Sequence, residues 1–197
     1  MKLILASASP RRIEMFINAG YDPIVMPASV SEEVPFPMTP ETTTMFLALK
    51  KGEAVRRRIE DKSAITIVAA DTVVVCDGEI IGKPEERTDA YRILSNLRGR
   101  SHDVITGCCV IEVPPAVSTG GASQNSIALK HCFFEKTVVH FKYYTDDELL
   151  EYINTEEPYD KAGGYAIQGT FSNHIDHIEG DFNNVVGLPL SRILPYL

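Results

Sequence analysis

One stretch constrains the fold more than any other. Ile65 to Ala70 is a continuous apolar run ending in Asp71. Val73-Val74-Val75-Cys76 follows, and Asp77-Gly78 separates it from Glu79-Ile80-Ile81. Aspartate and glycine both tolerate positive φ, so an Asp-Gly pair between apolar runs predicts a β-hairpin. Lys2 to Ala6 reads as a short buried strand, and Val104 to Val113 and Leu129 to Tyr144 are long strand candidates rich in β-branched and aromatic residues. Helices are expected between them. Ser9 can cap a helix opening at Pro10, with Ile13, Phe16 and Ile17 as its apolar face and Gly20 as its stop. A second helix runs from about Pro40 towards Glu60, after a proline-rich extended segment from Asp22 to Pro40. Thr88 can cap a third through Leu97, ended by Gly99, and Thr145-Asp146-Asp147-Glu148 fits a capping box for a fourth through Ile153. A glycine-rich stretch with short strands comes next, and Leu188 to Tyr196 closes with a brief helix. Early alternation with strand pairs in the middle predicts an α/β fold on a mixed sheet.

The 197 residues suit a single domain, or one domain folded as two lobes around a cleft. Within it, Pro114 to Ser126 lacks periodicity and is expected to be a flexible surface loop. A hydrophobic fraction of 44% with 23% charged residues excludes disorder. The net charge of −8 disfavours nucleic-acid and anionic-membrane partners, which need a basic face, but admits a small anion held by a few cations. Cys76, Cys108, Cys109 and Cys132 show no metal-finger spacing, and neighbours such as Cys108 and Cys109 point to opposite faces of a strand. Reduced thiols in the cytoplasm are expected, with neither a secretory signal nor an apolar stretch of membrane-spanning length.

Several residues could carry chemistry. Ser7-Ala8-Ser9-Pro10-Arg11-Arg12 joins a strand to a helix N-terminus, where exposed N–H groups, hydroxyls and the helix dipole favour an anion and an arginine can grip phosphate oxygens. Asp71, read as standing at a strand end beside Thr72, could bind a divalent metal, orient water or simply face solvent. Glu32 and Glu33 form a second acidic pair. Lys51, Lys83 and Lys161 join Arg11 and Arg12 as a cationic set suited to a triphosphate. His174-Ile175-Asp176-His177 looks like a metal motif, but its spacing in a strand puts the two rings on opposite faces. Walker A, GxGxxG and GxSxG patterns are absent.

Taken in order, Ser7–Arg12, Ala70-Asp71-Thr72-Val73-Val74, Gly82-Lys83-Pro84, Asp160-Lys161-Ala162-Gly163, Tyr165-Ala166-Ile167-Gln168-Gly169 and Val185-Val186-Gly187-Leu188-Pro189-Leu190 resemble the Maf family of nucleotide pyrophosphatases across essentially the whole chain. The resemblance implies an α/β fold like that of inosine triphosphate pyrophosphatase: an elongated mixed sheet with flanking helices and two lobes around a nucleotide cleft. It implies a commonly homodimeric, metal-dependent hydrolase that converts a nucleoside triphosphate to its monophosphate and pyrophosphate, and Mg²⁺ or Mn²⁺ is the divalent metal that carboxylates such as Glu33 and Asp71 would suit. By matching positions, Asp71 is the general base. Arg11, Thr72 and Gln168 set specificity, in a combination resembling the branch that acts on dTTP and UTP, with modified pyrimidine nucleotides as further candidates. Ser7, Arg12, Lys51, Lys83 and Lys161 match phosphate-binding positions, and Glu33 and Asp71 match metal positions. Two departures stand out: Gly52 follows Lys51 where alanine is usual, and Pro114 to Ser126 exceeds the usual connection. The rival expectation is a non-catalytic nucleotide-binding regulator of division or septum formation.

Overall fold

A computed structural model describes residues 2–60, 63–115, 118–119, 122–123 and 127–197. Its elements are β1 (Lys2–Leu5), α1 (Pro10–Asn18), β2 (Ile24–Val25), α2 (Pro40–Arg56), β3 (Ile65–Cys76), β4 (Glu79–Ile81), α3 (Arg87–Leu97) and β5 (Ser101–Val113). There follow β6 (Ser118–Thr119), β7 (Ala122–Ser123), β8 (Leu129–Phe141), α4 (Asp146–Ile153), β9 (Ile175–Glu179), α5 (Phe182–Val186) and α6 (Leu190–Ile193). Seven strands form one sheet in the order β2-β1-β3-β5-β8-β9, with β4 paired to β3. β1 runs parallel to both β2 and β3, whereas β4 is antiparallel to β3 and β9 to β8. This is the expected mixed α/β sheet. The predicted hairpin is present, with Val74 opposite Ile81 and with Asp77 and Gly78 at φ 54° and 82°. Two consecutive left-handed residues match the twist of the flanking strands, which is why glycine serves at the second. Much of Pro114–Ser126 lies outside the described residues; within it β6 and β7 pair antiparallel, Ser118 opposite Ser123.

The chain divides into two compact units. One comprises Met1–Asp71, Gly107–Phe134 and Gly187–Leu197; the other comprises Thr72–Thr106 and Glu135–Val186. In the first, successive residues of a strand enter different cores because side chains alternate across a sheet. Ile4, Ile67, Ala69, Cys109 and Ile111 pack on one face with Ala48 and Val55 of α2. Leu5, Val68, Cys108 and Val110 pack on the other with Phe16 of α1, Leu188 and Ile193 of α6. Cys108 and Cys109 therefore point apart, as strand alternation requires, and none of the four cysteines is in a disulfide. α2 lies close against the sheet at Gly52, whose missing side chain is replaced by Ile111: a Cβ there would stand 2.9 Å from Ile111 Cδ1.

The second unit is built around aromatic rings. Phe141, Tyr144, Tyr152, Tyr165 and Phe171 cluster with Ile93, Leu94 and Leu97 of α3 and Leu149 and Ile153 of α4. The Tyr144 hydroxyl donates to the Leu94 carbonyl at 2.5 Å, giving a buried polar atom a partner. The capping box at Thr145 is formed as expected. His102 is enclosed between Phe141 and Tyr165, 3% exposed, with its Nε2 2.6 Å from the Tyr165 hydroxyl. Burial, reinforced by the charge of nearby His140, lowers its pKa from 6.5 to about 3. The unfolded chain therefore binds a proton that the folded chain refuses between those limits. His102 contributes stability above pH 6.5 that is lost as pH falls towards 3, at about 1.4 kcal/mol per pH unit at most. His102→Gln is expected to flatten the acid limb of a plot of urea midpoint against pH. An unchanged slope between pH 6 and 4 would show that other groups govern acid unfolding.

Four local expectations need correction. β3 does not end at Asp71 but continues through it to Cys76. An ionised carboxylate is tolerated mid-strand because Lys51 reaches it from α2. Ser9 occupies the N-cap of α1 but its side chain makes no cap bond; its N–H donates to Ser7 Oγ at 3.2 Å instead. The N-cap of α3 is Glu86, whose carboxylate accepts from the Thr88 hydroxyl. Ile17 is 56% exposed, so only Ile13 and Phe16 of the expected apolar face are packed.

Candidate active site

In the first unit, three of the sequence segments meet at the side chain of Arg12. Its Nε donates to the Gly187 carbonyl at 2.8 Å, and its Nη1 donates to the Ala70 carbonyl at 2.9 Å and to Ser7 Oγ at 3.3 Å. A guanidinium presents several donors in a fixed plane, so one side chain can hold the β1–α1 turn, β3 and the approach to α6 together. Burial lowers its pKa from the ordinary arginine value, and attraction to Asp71 works against that shift. Arg12 is thus tied to its own chain, a structural duty beside the expected phosphate contact. Ser7 is 8% exposed at this junction, and Arg11 is half-buried on α1.

Beside this frame Asp71 is 8% exposed and faces Lys51, with Lys51 Nζ 2.5 Å from Asp71 Oδ1. The same ammonium lies 2.9 Å from Glu32 Oε1. Two carboxylates from segments far apart in sequence therefore converge on one positive nitrogen. Glu33, the residue singled out from sequence, is exposed; its N–H donates to Ser31 Oγ at 3.2 Å and its carbonyl accepts from Lys50. The sequence marked Glu32 only as half of an acidic pair. Nothing local distinguishes the two, because the choice is made by the direction in which an irregular segment presents each side chain.

The second unit holds Thr72, Lys83, Lys161 and Gln168. Thr72 Oγ1 lies 2.9 Å from Thr106 Oγ1, and Thr106 donates to the Asn184 carbonyl at 3.1 Å. A hydroxyl has one proton, so Thr106 accepts from Thr72 and the Thr72 proton is committed inward. Asn184 extends the network, its Nδ2 donating to the Val104 carbonyl and to Thr137 Oγ1, each at 3.0 Å. Asn184, Thr106 and Thr137 are fully buried, so this chain of bonds fixes the Thr72 rotamer. Asn184 and Thr137 were not anticipated; the Asp181-Phe182-Asn183-Asn184 run carries no motif that sets one asparagine apart.

Gly163 N–H donates to the Gly82 carbonyl at 3.0 Å, joining the Gly82-Lys83-Pro84 and Asp160–Gly163 segments. Lys83 is exposed. Lys161 Nζ donates to the Glu157 carbonyl at 2.6 Å and to the Asp160 carboxylate, so its charge is engaged within its own turn. Gln168 is exposed in a turn anchored by Glu157, whose carboxylate accepts from the N–H and hydroxyl of Thr170 at 3.2 and 3.0 Å. Of the expected site residues, Ser7, Arg12, Lys51 and Asp71 are neighbours in the first unit, and Glu32 joins them.

A family model described as Maf-like protein matches residues 2–197. The chain belongs to the Maf family. Curated relatives named dTTP/UTP pyrophosphatase include one from Caldicellulosiruptor saccharolyticus, 41% identical over 98% of this chain and 91% of its own. Another, from Agathobacter rectalis, is 40% identical over 98% of this chain and 94% of its own. A solved structure titled nucleoside-triphosphatase / dITP/XTP pyrophosphatase from Mycobacterium abscessus is 13% identical, covers 71% of this chain and 74% of its own, and has a TM-score of 0.35. Maf-family proteins generally depend on a divalent metal. Among the described residues, no helix of this Maf-family chain is long and apolar enough to cross a membrane.

Proposed function

We propose that this Maf-family chain hydrolyses dTTP and UTP to the nucleoside monophosphate and pyrophosphate. The observation that carries this reading is the Lys51 bridge, in which Asp71 and Glu32 are drawn to one cation at 2.5 and 2.9 Å. Such converging carboxylate oxygens are the donor chemistry of a hard divalent ion, and the ammonium is a stand-in charge. The Asp71 and Glu32 oxygens therefore fit Mg²⁺ or Mn²⁺ and would hold it, and Glu33 is added to them on the family resemblance alone. When bound, such an ion neutralises phosphate charge and acidifies water.

The chain's own groups supply the remainder. Asp71 accepts the proton of the water whose oxygen bonds to the α-phosphorus as the α–β bridging P–O bond breaks and pyrophosphate departs. Lys51 and Lys161, once exchanged from carboxylate to phosphate, and Ser7 and Lys83 stabilise the charge on the triphosphate, while Arg12 also holds the turn that carries Ser7. Arg11, Thr72 and Gln168 read the pyrimidine edge. The support for this role of Thr72 is its immobilised hydroxyl, since a fixed polar group discriminates between bases more strongly than a mobile one.

A panel of dTTP, UTP, CTP, ITP and 7-methyl-GTP with added Mg²⁺ or Mn²⁺ tests the proposal. Pyrophosphate release with kcat/KM for dTTP and UTP at least about tenfold above the purines is expected. Fastest turnover of ITP or 7-methyl-GTP overturns the specificity, and no release from any of them leaves a nucleotide-binding regulator. On the family resemblance we also assign a homodimer, and on the reduced-thiol reading a cytoplasmic location. Light scattering at twice the 21.8 kDa chain mass would support the dimer.

A further inference from the structure

Strand alternation turns the rings of His174 and His177 to opposite faces, which argues against a metal held by these two alone. That holds: His174 packs between Tyr144 and Phe171, with ring centroids 5.1 and 4.7 Å away. His177, however, has a partner that no local pattern reveals. β9 pairs antiparallel with β8 so that His177 lies directly opposite His140, just before an irregularity between His140 and Phe141. The two imidazoles stack with centroids 4.1 Å apart and planes within 9°. Glu179, two residues beyond His177 and so on the same strand face, completes the group. Its Oε1 lies 3.0 Å from His140 Nε2 and 3.8 Å from His177 Nε2.

We propose that His140, His177 and Glu179 form a binding site for a borderline transition-metal ion of the Zn²⁺ type, separate from the Asp71 carboxylates. The donor set of two imidazole nitrogens and one carboxylate oxygen favours such an ion over Mg²⁺ or Ca²⁺, which prefer oxygen alone. The spacing agrees. Zinc bonds of about 2.0–2.1 Å place tetrahedral ligands roughly 3.3 Å apart, and the observed 3.0 and 3.8 Å lie either side of that edge. The ligand atoms of the three residues all fall within 4.8 Å of one another.

Two further features distinguish this group from a chance meeting of surface side chains. His177 Nδ1 is 2.9 Å from Asp176 Oδ2, the carboxylate–histidine arrangement that places the ring proton on Nδ1 and turns the Nε2 lone pair towards a metal. His140 Nε2 is buried and makes no well-directed hydrogen bond despite the nearby carboxylate, so a metal would satisfy an atom that the protein leaves poorly served. The site is also reachable. His140, Asp176 and His177 line an open groove of 540 Å³ together with Asp77 and Arg100. The Arg100 guanidinium in that groove is held by both Asp77 oxygens at 2.7 and 2.8 Å, which tempers its repulsion of a cation. Three protein ligands leave a fourth position for water or a ligand entering from the groove.

Zn²⁺ alone is the probe, with binding to metal-stripped full-length protein followed by equilibrium dialysis and metal analysis. The variants are His177→Ala and Glu179→Gln, whose side chains are 52% and 66% exposed, so folding should survive; circular dichroism checks it. Wild type and Asp71→Asn are expected to bind one Zn²⁺ equivalent that each of these variants binds at least about tenfold more weakly, and Asp176→Asn should weaken it by about tenfold. Mg²⁺-supported pyrophosphate release by His177→Ala should equal wild type, which separates this proposal from the assignment of the Asp71 site. Equal zinc affinity in wild type, His177→Ala and Glu179→Gln overturns it, as does loss of the equivalent in Asp71→Asn alone.

Discussion

Asp71→Asn is expected to lower the rate of pyrophosphate release from dTTP by about 10²–10⁴-fold, the usual contribution of a positioned general base. The substitution preserves shape and changes what the oxygen can accept. Asp71 is 8% exposed and its Oδ1 is 2.5 Å from Lys51 Nζ, so the variant also removes a negative charge from a confined pair. Lys51 does not become an isolated buried charge, because Glu32 still lies 2.9 Å from it. Arg12 remains tied to Ser7 Oγ and to the Ala70 carbonyl, a backbone group that the change does not touch. The thermal midpoint should therefore stay within a few degrees of wild type, and KM should move much less than kcat. Turnover close to wild type would remove Asp71 from the base role. A raised KM with unchanged kcat would leave it with binding alone.

Gly107→Ala should have the largest effect on stability. A Cβ built on Gly107 would stand 2.2 Å from Thr44 C, 2.3 Å from Met45 N and 2.5 Å from Thr44 O. All three are backbone atoms of α2, so no rotamer change can make room; the helix or the strand must move as a whole. Overpacking of a core typically costs 1–3 kcal/mol, and a clash against backbone belongs at or above the top of that range. A loss of about 3 kcal/mol would lower the thermal midpoint by roughly 10 °C in a chain of this size. Because α2 also carries Lys51, its displacement should weaken the Lys51–Asp71 bond and reduce activity in the protein that remains folded. Gly82→Ala is the control, since nothing lies within 4 Å of a Cβ there, and its urea midpoint should match wild type. Equal midpoints for both variants would show that α2 yields without cost.

The sheet was legible from sequence because its signals are local. β-branched runs, an Asp-Gly turn and a Thr-Asp-Asp-Glu capping box act over a few residues, and each reappears as β3, the β3–β4 hairpin and α4. The opposed packing of Cys108 and Cys109 followed from strand alternation alone. Element ends were less legible. Asp71 resembled a strand terminus because an unpaired carboxylate is costly inside a sheet, and its partner Lys51 lies on α2, 20 residues away. The expected cap bond at Ser9 failed for a similar reason, since the Ser7 hydroxyl takes the Ser9 N–H and the Arg12 guanidinium.

Segment types, the mixed sheet and the supply of acids and bases for phosphate chemistry are legible in the residues alone, because backbone preference and side-chain class are properties of short stretches. Which members of that supply act together depends on the packing of the folded chain. That packing brings Glu32 to share Lys51 with Asp71, enlists Asn184 to hold Thr106 and through it Thr72, and sets His177 opposite His140 rather than beside His174. Such choices depend on strand register and helix approach. These place side chains remote along the chain within a few ångströms, where charge and hydrogen bonding become strong.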